Sequence, residues 1–176
     1  MAQLIDRMLR AAKLEQGLYE EVEADTGALG QAILVVIIAG VAAGIGTLAM
    51  GGIQGLIMGT LSAILSWFVW AYLTYFIGTK LLPESQTSSN PGELLRTIGF
   101  SSSPGVIRVF GFVPGVGQIL FWAAGIWMLV AMVIGVKAAL DYTSTWRAVL
   151  VCFIGWVIQI VIFMIIFSLV GGEVAA

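Results

Sequence analysis

The chain has 176 residues, 60% of them hydrophobic and only 10% charged, with a formal net charge of −2. Soluble domains carry about 25% charged residues, so the composition excludes a water-covered globule and indicates an integral membrane protein the size of one bundle. The absence of histidine removes the commonest metal ligand and general base, the single Cys152 excludes an internal disulfide, and no basic run suggests a nucleic-acid partner.

Residues 1–27 read as a cytoplasmic segment, helical from about 2 to 24. Leu4, Ile5, Met8, Leu9 and Ala12 recur every three to four residues as one apolar stripe, with Asp6, Arg7, Arg10 and Lys13 on the other face. Such a helix either lies in the headgroup plane or packs on the end of the bundle. The same charges interrupt any signal-peptide core. The second half turns acidic, and Glu20, Glu21 and Glu23 are candidate partner-binding residues, or a solvated helix surface. Asp25 or Thr26 is placed to cap the first membrane helix.

Residues 28–176 read as a five-span transmembrane domain with spans near 28–50, 55–80, 94–114, 118–136 and 146–170, the first of them uncharged and long enough to cross. A charge-free turn, Gly51 to Gln54, joins the first two. The second ends in Trp67, Trp70, Tyr72 and Tyr75 above Lys80, an interfacial aromatic belt. A polar loop covers 83–92. The third span contains Pro104, so a straight helix is excluded. It is expected as two half-helices broken at Ser103-Pro104-Gly105, where protein must satisfy the freed backbone. The connection 137–145 precedes the last span. Arg7, Arg10, Lys13, Lys80, Arg96, Lys137 and Arg147 then share one side, and short loops keep Lys and Arg cytoplasmic. This predicts a cytoplasmic N-terminus and an external C-terminus. The fold class is therefore all-α: a five-helix bundle with an amphipathic N-terminal helix and a broken third span.

Gly40 and Gly44 on the first span, and Gly51, Gly55 and Gly59 leading into the second, repeat every four residues. This spacing permits close helix packing, within the chain or between two copies. Arg108 is the only charge deep in a span. A central arginine costs about 2.5–3.5 kcal/mol on insertion scales. It therefore either snorkels to the headgroups or marks a lipid or polar site, with Ser102 and Ser103 as polar companions. Gln159 reads as interhelical glue and Cys152 as an inert packing residue. Gly111 to Gln118 lacks the Lys-Ser/Thr of a phosphate loop. No nucleophile–base pair, carboxylate dyad or metal cluster can be assembled, so no catalytic, cofactor or metal site is predicted.

Four stretches in their order and spacing resemble one family. They are LYEEVEAD (Leu18 to Asp25), WAYLTYFIGTKLLP (Trp70 to Pro83), ELLRTIGFSSSPGVIRVFGFVPGVG (Glu93 to Gly117) and IWMLVAMVIGVKAALDYTSTWRA (Ile126 to Ala148), followed by a last apolar helix. The chain resembles the Yip1-domain family, in particular its short prokaryotic members. The resemblance implies a five-helix membrane bundle with a cytoplasmic N-terminus, in a prokaryotic cytoplasmic (inner) membrane. Eukaryotic relatives bind prenylated Rab-type GTPases. That activity does not carry over, because only some 27 residues precede the first span and signatures of the DLYGP and GY type are missing.

The reading that follows is a non-enzymatic membrane scaffold or adaptor acting through its cytoplasmic face on protein partners or on bilayer organisation. Its partners are membrane lipids and other proteins or further copies of itself. The alternatives are a transporter or channel for a small or lipidic substrate using the broken third span, and an accessory subunit of a larger membrane complex.

Overall fold

The computed structural model describes residues 2–171, with the side chains at 163 and 166–171 left aside. Among the described residues every regular element is helical: α1 (Ala2–Ala12), α2 (Gln16–Ala24), α3 (Leu29–Gly46), α4 (Leu48–Phe76), α5 (Pro91–Phe100), α6 (Gly117–Ala139) and α7 (Thr145–Gly171). A 3-10 turn (Thr26–Ala28) leads into α3, a π turn (Ile77–Leu81) extends α4, and a 3-10 helix (Ser103–Phe112) follows α5. Four stretches are long and apolar enough to cross a bilayer: Thr26–Gly46, Leu48–Leu81, Gly117–Ala139 and Thr145–Ile162. Large apolar side chains such as Ile57, Leu61, Trp122 and Trp156 point outward from them, as expected where lipid is the solvent.

The local chemistry explains the boundaries. Asp25 accepts the Gly27 N–H at 2.9 Å and opens the turn before α3. Asn90 and Glu93 form a reciprocal capping box at the start of α5, with Pro91 in the first turn. α1 closes with Leu14 in the left-handed region (φ 63°), its N–H on the Ala11 carbonyl and the Glu15 N–H on the Arg10 carbonyl. Asp141 (φ 53°) closes α6 the same way, so both ends are Schellman caps without the usual glycine. α5 stops at Phe100 because Pro104 cannot continue the α-helical ladder. The backbone tightens instead into ten residues of 3-10 helix.

α3 and α4 are antiparallel. Gly44 receives Leu56, and a Cβ at Gly44 would lie 2.9 Å from its side chain; Gly40 lies against Thr60 and Ala63. α5 and its 3-10 continuation run alongside α3 in the same direction, with Gly99 at Ala32, Gly105 at Ala39 and Gly111 at Gly46. The approach is closest at the far end, where a Cβ on Gly46 would sit 2.0 Å from the Arg108 carbonyl oxygen. α6 returns antiparallel, with Gly105 against Met128 and Ser101 bonded to the Ala131 carbonyl at 3.1 Å. α7 then runs antiparallel to α4, Gly155 facing Trp70. The main apolar core gathers Trp67, Trp70, Ile77, Leu94, Val136 and Leu140, nearer the end that carries Lys80, Arg96, Lys137 and Arg147. That end is called the charged end below.

Candidate functional site

Two places concentrate polar chemistry: a helical cap that starts at the charged end and reaches down the side of the bundle to the middle of α6, and a cavity between the helices that runs from Arg108 toward Trp70.

The cap is the α1–α2 hairpin, folded back over α5, the 3-10 helix and α6. The apolar stripe of α1 divides. Leu4 and Met8 turn inward beside Ala11, which lies outside the stripe, while Ile5 and Leu9 remain 57% exposed. Arg7, on the polar face by pattern, is only 4% exposed. Its guanidinium donates to Glu21 and Asp25, both at 2.9 Å, and to Gln31 at 3.2 Å, tying α1 to α2 and to the start of α3. Arg10 adds Glu21 at 2.7 Å and Glu15 at 3.1 Å. These two guanidiniums, Arg10 foremost, hold the Glu21 carboxyl below the usual carboxylate range, and Arg7 does the same for Asp25.

Arg96, 6% exposed, reaches from α5 and donates to the Val22 carbonyl at 2.8 Å and to the Glu23 carbonyl. It caps the carbonyl end of α2, where a cation also meets the helix dipole. Trp127 donates its indole N–H to the Ala12 carbonyl at 2.8 Å, and Tyr19 its hydroxyl to the Ala11 carbonyl at 3.2 Å. Below the hairpin, Glu84 accepts the Thr143 N–H (2.9 Å) and hydroxyl (2.8 Å) with Arg147 beside it. These bonds pull the Glu84 carboxyl down to about 2. The Tyr142 hydroxyl lies 2.9 and 2.8 Å from the Gly78 and Leu82 carbonyl oxygens, where the π turn leaves acceptors free.

The three acidic candidates fall into different settings. Glu20 is exposed and accepts a hydrogen bond from the Gln16 amide at 3.1 Å. Glu21 is the hairpin's own anchor. Glu23 is half-buried, and burial, then Asp141 and Glu93, push its carboxyl up to about 7.

The second place is a cavity of about 510 Å³, within the size range of ligand pockets. α3 supplies Ala39 and Ala43, α4 Ser62 and Ser66, α6 Phe121 and Met128, and α7 Gln159. Ser102 and Arg108 enter it from the broken segment. Arg108 lies with its guanidinium carbon 4.7 Å from the Phe121 ring centroid. Its Nε is enclosed and has no hydrogen-bond partner. Ser103 turns away and bonds the Phe100 carbonyl at 2.7 Å. A cation–π contact contributes about 0.5–2 kcal/mol, less than the roughly 2.5–3.5 kcal/mol for placing arginine at membrane depth. Gly55 and Gly59 also line the cavity, and a Cβ at Gly51, Gly55 or Gly59 would meet no described atom within 4 Å. Close helix approach in this chain uses Gly40 and Gly44. Among the described residues no cluster of metal-ligating side chains forms.

The family model of the Yip1 domain matches residues 17–166. The chain belongs to the Yip1-domain family. It is thus a multi-pass membrane protein of that family. No curated protein and no solved structure matches the chain. In this Yip1 domain the match begins inside the hairpin, at Gly17, and takes in α2 from its second residue together with Arg96.

Arg7 and Arg96 are the site residues that sequence reasoning did not single out. Their partners lie 14 to 24 and 73 to 74 residues away, beyond any helical repeat. One signal was present for Arg7: an excess of nearby carboxylates, Glu15 to Asp25, facing few cations. No local pattern marks Arg96. Trp70, expected in the interfacial belt, is instead 8% exposed and lines the cavity, with its indole N–H enclosed and without a hydrogen-bond partner.

Proposed function

We propose that this Yip1-family protein is a non-enzymatic membrane scaffold that docks protein partners on its charged end. The observation that carries the reading is the cap. Two nearly buried arginines, Arg7 and Arg96, bind α1 and α2 to each other and to the bundle. A terminal hairpin held this way is a preorganised surface, and preorganisation lowers the ordering cost of association. Glu20 and the exposed ends of Glu15 and Gln16 supply its outward polarity.

In this reading the charged end faces the cytoplasm of a prokaryotic inner membrane, because Lys80, Arg96, Lys137 and Arg147 gather there. The segment 91–112 forms a fifth crossing. At 1.5 and 2.0 Å per residue, its α and 3-10 parts span about 35 Å, enough for a hydrocarbon core of about 30 Å. It runs alongside α3 as far as Gly46. The N-terminus is then inside and the C-terminus outside.

The test is site-specific photo-crosslinking in native membranes from Glu20 and, as the opposite-end control, from Val116, which is 49% exposed. Discrete protein adducts from position 20, absent from position 116 and lost when Arg7 is replaced, are expected. Adducts of equal yield from both ends contradict the reading.

A further inference from the structure

We propose that the cavity beside Arg108 binds one acidic membrane lipid, with the anionic headgroup on Arg108 and an acyl chain running inward toward Trp70. Among the described residues no carboxylate or carbonyl accepts from the Arg108 guanidinium, and its Nε is enclosed without a partner. No acidic residue lines the cavity. The positive charge is uncompensated where water is scarce, which favours an anion over any neutral occupant. Trp70, 8% exposed, lines the deep end of the same cavity. An uncompensated guanidinium and a wall with no acidic side chain describe a site for an anionic ligand.

The rest of the wall says which kind. Between Arg108 and Trp70 it is built from small or apolar groups, including Gly40, Ala43, Ala63, Met128 and Met132. Methionine adapts to irregular chains. The cavity is open along α4, where Gly55, Gly59 and Ser62 are both exposed and lining, on a helix whose neighbouring Met58 and Leu61 point outward. Arg108 lies toward the end of the bundle where α3 stops, its carbonyl against Gly46, and Trp70 lies deeper toward the charged end. A headgroup at Arg108 with its chain directed inward matches the orientation of a lipid in the leaflet opposite the charged end. A free inorganic anion would satisfy Arg108 but leave the apolar length of the cavity unfilled.

The experiment uses the full chain, purified in mild detergent, stripped of lipid and examined by native mass spectrometry with added phosphatidylglycerol or phosphatidylcholine. One phosphatidylglycerol per chain is expected, retained at least tenfold better than phosphatidylcholine. Arg108→Gln should abolish that preference. Gly59→Leu places a side chain into open space and should block retention, whereas Gly51→Leu, equally open but outside the cavity wall, should not. Because Gly59→Leu tests the cavity without touching the charge, it decides the matter even if the Arg108 variant misfolds. Equal retention by Gly59→Leu and wild type overturns the proposal. So does displacement of the lipid by millimolar inorganic phosphate, which assigns the site to a free anion. A homodimer that Gly59→Leu dissociates while lipid retention persists overturns it too, in favour of a second copy on α4.

Discussion

Replacing Arg7 with methionine keeps much of the side chain's length and removes its charge. Three hydrogen bonds disappear, two to carboxylates at 2.9 Å and one to Gln31 at 3.2 Å. A bond to a charged group contributes about 1.5–3 kcal/mol, and breaking a fully buried pair costs about 3–5 kcal/mol. The Arg7 side chain is 5% exposed, but those of Glu21 and Asp25 are 39% exposed and regain water once released. Glu21 also keeps Arg10. The net cost to hairpin docking is therefore about 2–3 kcal/mol, below the fully buried figure. At 1.36 kcal/mol per factor of ten, the undocked population rises roughly 30- to 150-fold. Amide hydrogen exchange across 2–24 reads this directly, because local opening sets the exchange rate. Exchange within α4 and α6 should not change. Arg10→Gln removes more exposed pairs, worth about 1 kcal/mol or less, and should accelerate the same amides far less. Unchanged exchange over 2–24 in Arg7→Met would refute the claim that Arg7 anchors the cap.

Other expectations follow from the same geometry. Glu23 has its folded-state pKa raised to about 7, by burial first and then by Asp141 and Glu93, with Arg96 opposing. Its contribution to stability is complete below the ordinary carboxylate value and is lost as pH rises through 7. Glu23→Gln should therefore raise the melting temperature at pH 8 and leave it unchanged at pH 4. Glu84 behaves oppositely: with its carboxyl pulled to about 2 by Thr143, its stabilisation is present above the ordinary value and is lost on acidification toward pH 2, and Glu84→Gln should flatten that acid limb. Gly46→Ala drives a Cβ to 2.0 Å from the Arg108 carbonyl oxygen and should destabilise by about 1–3 kcal/mol as an overpacked contact. Gly55→Ala, inside the continuous part of α4 beyond the kink at Gly52 (φ 58°) and with nothing near its Cβ, should gain about 0.5–1 kcal/mol in helix propensity; thermal unfolding in one detergent compares the two. Cysteines at Ser88 and Val116 should label from opposite faces of sealed vesicles if residues 91–112 cross.

The helical, membrane-embedded character was legible because long apolar runs have few other solutions. The break near Pro104 was legible because proline removes a ladder donor; that the continuation is a ten-residue 3-10 helix was not, since nothing local distinguishes it from α. Gly40 and Gly44 show a spacing that the packing uses. Gly51, Gly55 and Gly59 show the same spacing and stand open, because repetition marks where backbones can approach and not whether they do. The site residues were harder. Arg108 stood out as a charge in an apolar run. Arg7 did not, because an arginine on the polar face of an amphipathic helix has the same local pattern whether it meets water or a carboxylate from the next helix. Arg96 needed the fold itself, since its acceptors are backbone carbonyls some 73 to 74 residues away.

The central claim is that the capped end docks other proteins. Affinity purification of the tagged protein from its own membranes in mild detergent, with mass determination of the particle, addresses it most directly. The account predicts a partner protein at fixed stoichiometry with wild type and its loss with Arg7→Met, while the variant bundle stays intact. A homogeneous particle containing only this chain and lipid, unchanged by Arg7→Met, would contradict it.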